Sequence, residues 1–425
     1  MLRFLLEMTP RPLLHLWRRL PVGPRRDVLD AVAATAAGVT ARIPKRPSRR
    51  PRPPSGGIAI VGEFGGASGL AESARLMNQA LPHIGVSTWP LDAAGVGATP
   101  APFAEGSPLS PPPPGVPIVI HANANRMDNA LRALPRSLIR GRRIIGYWAW
   151  ELPVVPRSWQ PGVRFVHEVW VPSHFVARAI ATILPASGSI PIRIVPHPVA
   201  AVPPCPAAMD RAAFGLPKDA VIVLVSLNLA SNVARKNPYG AINAFRQAFG
   251  ARTDRVLVLK LGNIDEFPAD FVRLWQTVAD SPNIHIEARS FSIAVNHAFT
   301  RCADIVLSLH RSEGFGLVMA EAMMLGCPVV ATGWSGNMDF MDSDSAALVG
   351  VTMVEPTDDR GVFTIPGARW AEPDIGEAVA QLRRLADDAA ERKALGARGR
   401  AMAQMRLTTA KLAEAVRALG LPARE

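Results

Sequence analysis

DIVLSLHRSEGFGLVMAEAMMLGCPVVATGWSGNMDFM, residues 304–341, is the stretch on which the reading of this chain turns. The apolar run 305–309 predicts a buried strand. A short loop with Glu313, Gly314 and Gly316 follows, and a helix is expected over 318–325. The glycines allow backbone to approach a ligand closely. The helix N-terminus presents N–H groups and the positive end of the dipole, a setting for an anion of the diphosphate kind. Glu321 falls on the cleft side of the helix if Val318, Ala322 and Leu325 face the sheet. Two carboxylates beside a phosphate site suit a nucleotide sugar, one on ribose hydroxyls and the other toward the sugar ring. Two glutamates alone would more simply be acids offsetting a helix dipole; the strand, glycines and helix around them argue for a site.

Outward from this stretch, strands and helices alternate. Strands are predicted at 58–61, 86–91, 118–121, 144–148, 169–171 and 192–195, with helices over 70–81 and 175–183. A second series of strands runs through 221–227, 256–261, 284–286, 305–309 and 329–331. Helices are expected at 238–249, 293–302, 374–385, 390–405 and 409–419. The proline-rich stretch 99–117 is expected to be an exposed loop. Strand–helix alternation twice over predicts two Rossmann-like, doubly wound α/β domains facing across a cleft, with ligands at the carboxyl ends of the strands. The expected division is an arm and linker at 1–56, a first domain at 57–204, a second at 205–400, and a terminal helical segment, 401–425, packing back toward the first.

The 425 residues are 48% hydrophobic and 19% charged, which excludes a disordered or fibrous chain. Cys205, Cys302 and Cys327 are too few and too scattered for a disulfide framework or a four-cysteine zinc site. No apolar run approaches the ~20 residues of a membrane span, and the expected address is the cytoplasm. Residues 1–53 hold twelve Arg and Lys against three acids, so nine of the twelve net positive charges lie there. Leu5, Leu14 and Trp17 are interleaved with those arginines, a mixture that suits the anionic inner face of a membrane better than nucleic acid. A solvated leader is the plainer alternative.

SLHRSEGFGLVMAEAM, with Glu313 and Glu321, resembles the Glu-x7-Glu signature of retaining glycosyltransferases of family 4, which have the GT-B fold. SNVARKNPYGAINAF (231–245) resembles that family's Arg-Lys segment. GYWAWELPVVPRSW (146–159), EVWVPSHFVARAI (168–180) and VPHPV (195–199) resemble acceptor-domain and hinge segments of its bacterial polysaccharide members. The resemblance covers residues 57–420 and leaves out the arm. It implies transfer of a hexose-type sugar, mannose among those expected, from a UDP- or GDP-linked donor to a glycan or polyprenyl-linked acceptor. It implies no cofactor and no metal. Glu313, Lys236, Arg235 and His121 take the catalytic places. Gly65, Gly66, Gly314, Phe315, Gly316, Leu317, Glu321 and Lys260 take donor-binding places.

Arg235 and Lys236 follow a strand and open a helix, where cations are disfavoured unless an anion binds; they would neutralise a leaving diphosphate. Asn228 stands where family members often carry a charge. His121 ends its strand, where a sugar contact and an ordinary strand-end histidine are equally open. Glu151 is open between an acceptor contact and a buried partner for the His121 loop, and Trp148 and Trp150 between acceptor-side sugar-stacking platforms and core aromatics, the commoner use of tryptophan. Lys260 is open between a donor-phosphate role and a snorkelling strand-end lysine. Phe64 interrupts what would be a dinucleotide fingerprint in GEFGGASG, and Asp342-Ser343-Asp344 follows no buried strand, so it is not taken as a metal motif. A GT-B-like sugar-nucleotide epimerase and a nucleic-acid-binding protein built on the basic arm are the competing readings. The near-neutral body speaks against the second.

Overall fold

The computed structural model describes residues 47–48, 50–92, 111–185, 188 and 190–424. Most of the basic arm and residues 93–110 of the proline-rich stretch lie outside them. The first domain is built on β1 (Ile58–Gly62), β2 (Thr88–Asp92), β3 (Ile118–Ile120), β4 (Ile144–Tyr147), β5 (Glu168–Val171) and β6 (Ile192–Ile194). These form one parallel sheet in the order β2-β1-β3-β4-β5-β6. The second is built on β7 (Val221–Asn228), β8 (Arg255–Gly262), β9 (Ile284–Glu287), β10 (Ile305–Ser308), β11 (Val329–Thr332) and β12 (Ala347–Val349), in the order β12-β11-β10-β7-β8-β9. A hairpin of β13 (Val351–Val354) and β14 (Trp370–Pro373) completes the strands.

Continuous apolar runs are what a parallel sheet covered on both faces demands. Along β7, Val221, Val223, Val225 and Leu227 pack with Ile242 and Phe245 of the helix Pro238–Phe249 and Leu382 of the helix Ile375–Asp387. Ile222 and Leu224 turn the other way, onto Phe299, Met319 and Met323. The first sheet is covered likewise. Ile58, Ile60 and Tyr147 pack with Ala74 and Met77, and also with Leu412, Ala413 and Val416 of the C-terminal helix Ala410–Ala418. That helix therefore crosses back to the first domain. Each large apolar side chain buried there contributes roughly 1.5–3 kcal/mol.

The proline-rich stretch departs from expectation at its described end. Pro112, Val116 and Pro117 are buried, not exposed. Arg142 donates to the carbonyls of Pro112 (2.7 Å), Pro113 (2.6 Å) and Val116 (3.0 Å), which supplies the donors that prolines cannot. Among the described residues no helix is long and apolar enough to cross a membrane.

Candidate active site

In both sheets the strand order reverses at one place, between β1 and β3 and between β7 and β10. Loops leaving adjacent strands diverge there and open a crevice at the carboxyl ends. A cleft of about 730 Å³ occupies the space between the two switch points.

On the second-domain side, Arg235 and Lys236 lie in a short helical turn, Val233–Lys236, shortly after β7, and Glu313 lies in the loop after β10. Lys236 Nζ pairs with Glu313 Oε1, and Arg235 Nη1 lies 3.1 Å from Glu313 Oε2. Arg235 also donates to the Ser312 carbonyl at 2.7 Å and the Ser231 carbonyl at 2.9 Å, and stands 3.8 Å from Glu151 of the first domain. Burial alone would raise the Glu313 carboxyl, but Lys236 and Arg235 outweigh it and hold it at about 2. Burial raises Glu151; Arg235 opposes the shift and Glu313 reinforces it.

Glu313 is held by its backbone as well. Its N–H donates to Ser335 Oγ (2.9 Å) and its carbonyl accepts from Gly336 (2.9 Å). Ser335 keeps this geometry at φ +85°, a region few side chains enter. A Cβ on Gly336 would lie 2.2 Å from the Gly314 carbonyl, and one on Gly314 would lie 2.9 Å from the Trp150 carbonyl, so both positions exclude any larger residue. Beneath them, His310 Nε2 faces two acceptors, Asn337 Oδ1 at 3.1 Å and the Trp334 carbonyl at 3.3 Å. Its proton therefore sits on Nε2, and Ser308 donates to Nδ1 at 3.0 Å.

The helix Leu317–Met324 begins after Gly316 at φ +101° without a side-chain cap. Gly314, Phe315, Gly316, Leu317 and Glu321 line the cleft. The face expected to pack is corrected: Val318 also lines the cleft, while Met319, Ala320, Ala322, Met323 and Met324 are buried. Glu321 stands 4.0 Å from His297 Nε2. Lys260 lines the cleft but spends its ammonium on the Arg289 carbonyl (2.7 Å) and on the face of Phe291 (4.6 Å). Burial lowers its pKa.

Besides Glu151 and the Glu72–Arg75 ion pair, the first-domain side carries a group of neutral rings. His121 stacks on Tyr147 with centroids 4.6 Å apart, and Tyr147 donates to the Val195 carbonyl (2.8 Å). His197 lies 3.3 Å from the Tyr147 hydroxyl and edges onto Phe315. Burial, with His197 adding to it, lowers His121 to about 3, and burial brings His197 to about 3. His197 lines the cleft, whereas His121 is 6% exposed behind it, with neither ring nitrogen hydrogen-bonded among the described residues. Gly65 and Gly66 lie beside the wall, which is formed by the next residues, Ala67 and Ser68. Arg75 holds that loop through the carbonyls of Phe64 (2.6 Å) and Gly66 (2.9 Å).

Trp148 is corrected. Its ring is fully buried in the first-domain core, laid over Gly146 and edge-on to Trp159, and Trp150 lines the cleft in its place. From the sequence Trp150 is already named beside Trp148, whereas Asn232, His197 and Phe363 are not singled out. A histidine between two prolines in VPHPV was the one visible signal; nothing local marks Phe363.

Two doubly wound domains with facing carboxyl ends and a cleft between them define a GT-B glycosyltransferase fold. Residues 187–415 match the family described as family 4 glycosyltransferases in conflict systems, and the chain belongs to that family. Among solved structures, sucrose-phosphate synthase from Thermosynechococcus elongatus is similar at TM-score 0.59 and 17% identity, over 88% of this chain and 98% of that one. Anabaena Alr3699/HepE, in complex with UDP and glucose, is similar at TM-score 0.56 and 13% identity, over 86% of this chain and 100% of that one. A glycosyltransferase from Rickettsia africae gives 0.56 and 13%, over 88% and 98%. These likenesses concern the fold. No curated protein matches the chain by sequence.

Proposed function

We propose that this glycosyltransferase retains anomeric configuration, uses no metal, and moves a hexose-type sugar from a UDP- or GDP-linked donor to a glycan or lipid-linked acceptor. The observation that carries the reading is the meeting of Arg235, Lys236 and Glu313 opposite the uncapped start of Leu317–Met324. The two cations and the helix N-terminus would hold the diphosphate and take up the charge that grows on it as the sugar leaves. Glu313, kept ionised by both cations, would accept from sugar hydroxyls, and Glu321 from the ribose. His197, neutral and lining the cleft, would contact the transferred sugar, with His121, expected in that place, backing it through Tyr147. Glu151 is proposed at the acceptor. HepE, in complex with UDP and glucose, supports a nucleotide-sugar donor.

Residues 1–53 are proposed to hold the enzyme at an anionic membrane, each basic residue near the surface contributing about 1 kcal/mol. The family's description favours a second reading of the acceptor, as a component of a conflict system rather than a surface polysaccharide. A thermal-shift panel of UDP-, GDP- and ADP-sugars tests the donor. NMR of the product then reads the anomer, in buffer with and without EDTA. An inverted product, or activity abolished by EDTA and restored by magnesium, would overturn the retaining or the metal-free assignment.

A further inference from the structure

Between β13 and β14 the chain makes a turn, 355–369, organised by one carboxylate. Asp358 Oδ1 accepts from the Arg360 N–H (2.9 Å) and Oδ2 from the Phe363 N–H (3.0 Å). This turn carries Phe363 inward, where it is 4% exposed and joins the core of the first domain. Its ring lies 5.5 Å from that of Trp150 and 5.6 Å from the Arg235 guanidinium. A segment of the second domain thus inserts between the two domains and supports the cation that pairs with Glu313.

The tie between this segment and the cation turn is Asn232. It is 4% exposed and sits at φ +74°, an unusual conformation for a side-chain-bearing residue. Its Oδ1 accepts from the Arg235 N–H at 3.0 Å, its carbonyl accepts from the Lys236 N–H at 3.1 Å, and its Nδ2 donates to Asp358 Oδ1 at 2.5 Å. One buried amide therefore caps the turn that presents both cations and grips the carboxylate that seats Phe363. We propose that Asn232 and Asp358 are positioning residues: their hydrogen bond latches the 355–369 segment to the Arg235–Lys236 turn, setting Arg235 between Phe363 and Glu313. The effect on turnover rests on the reading of the cleft as a nucleotide-sugar site; the latch itself does not.

The experiment compares the full-length wild type with N232G, N232D and N232D/D358N. Glycine accepts the backbone conformation and removes both side-chain bonds. N232D keeps the cap on Arg235 but sets two carboxylates face to face. Adding D358N restores one donor and one acceptor across the gap, while the Arg360 N–H, which Asp358 Oδ1 also holds, loses its acceptor. N232G and N232D should each lose about tenfold in kcat, because small displacements of charged groups slow chemistry more than they weaken binding. Donor KM should stay within about threefold, since ground-state binding is less sensitive than turnover. The double variant should recover part of kcat. Trypsin cleavage after Arg360, followed by mass spectrometry, should be fast in both single variants, slow in wild type and slower in the double variant than in N232D. N232D with wild-type kcat and wild-type cleavage would overturn the latch, as would a double variant that recovers neither. Should wild type turn over no nucleotide sugar, the cleft reading fails and cleavage at Arg360 alone decides the latch.

Discussion

At the switch point of the first domain, β1 and β3 end in Gly62 and beside His121, with Tyr147 and His197 packed alongside; at that of the second, the loops after β7 and β10 bring together Arg235, Lys236 and Glu313. The backbone plan is the same, a parallel sheet reversing its strand order, but the first switch point carries neutral rings, of which His197 meets the cleft, and the second an ion cluster. Burial explains the first, since it strips the histidines of charge. Mutual pairing explains the second, since a buried carboxylate stays ionised only beside its cations. A fold therefore fixes where a site forms, and the side chains at its two lips decide which part of a substrate each lip can hold.

The contrast is broken most directly at Lys236. Lys236→Ala should lower kcat by about 10²–10³ with less effect on donor KM, because charge on the departing diphosphate grows in the transition state. Turnover equal to wild type would remove the ionic lip from the chemistry. Glu321→Gln should instead raise donor KM, by an amount equivalent to roughly 1.5–3 kcal/mol for one charge-assisted hydrogen bond, with the thermal midpoint unchanged. Donor kinetics that do not move would end its ribose assignment.

The two lips should also respond to acid in different windows. His121 and His197 have pKa values near 3 against an ordinary 6.5. The unfolded chain binds protons there first, so their contribution to stability is complete above 6.5 and is lost as pH falls toward 3. Inside that window each histidine contributes up to ~1.4 kcal/mol per pH unit. Glu313, at about 2 against 4.5, loses its contribution only below 4.5. Urea midpoints measured from pH 7.5 to 3.5 should therefore begin to fall near 6.5, with His310, which burial also lowers, adding to the fall, and replacing His121 and His197 by asparagine should make the upper part of the curve less steep. An unchanged slope in that double variant would show that the neutral lip is not what titrates. The smallest kinetic effect is expected at Trp148. Trp148→Phe should cost about 1–3 kcal/mol of stability through lost packing and leave acceptor KM unchanged. A raised acceptor KM would return Trp148 to the site.

What could be read ahead of the structure followed chain proximity. Glu313, Gly314, Gly316 and the helix after them occupy one strand–loop–helix unit, and the Arg235–Lys236 pair occupies another, so each showed its chemistry in a few consecutive residues. His121 and Lys260 were recognisable as strand-end residues, but which of them would face the cleft depended on neighbours hundreds of atoms away. Trp148 and Trp150 differ by two residues in a row of aromatics, and nothing local says that one lies over Gly146 while the other meets Phe363. The turn 355–369, rich in Asp, Gly and Pro, has neither helical nor strand periodicity and reads as an ordinary surface loop.

The sequence by itself determined the alternation of elements, the strand carboxyl ends where a ligand could sit, and the residue types offered to a diphosphate, because hydrophobic period, glycine placement and charge are local properties. Only the tertiary structure decided that Phe363 of one domain completes the core of the other and that Asn232 joins its turn to Asp358. Those contacts join residues far apart in the chain, and their free energy exists only once both partners have been brought together and dehydrated.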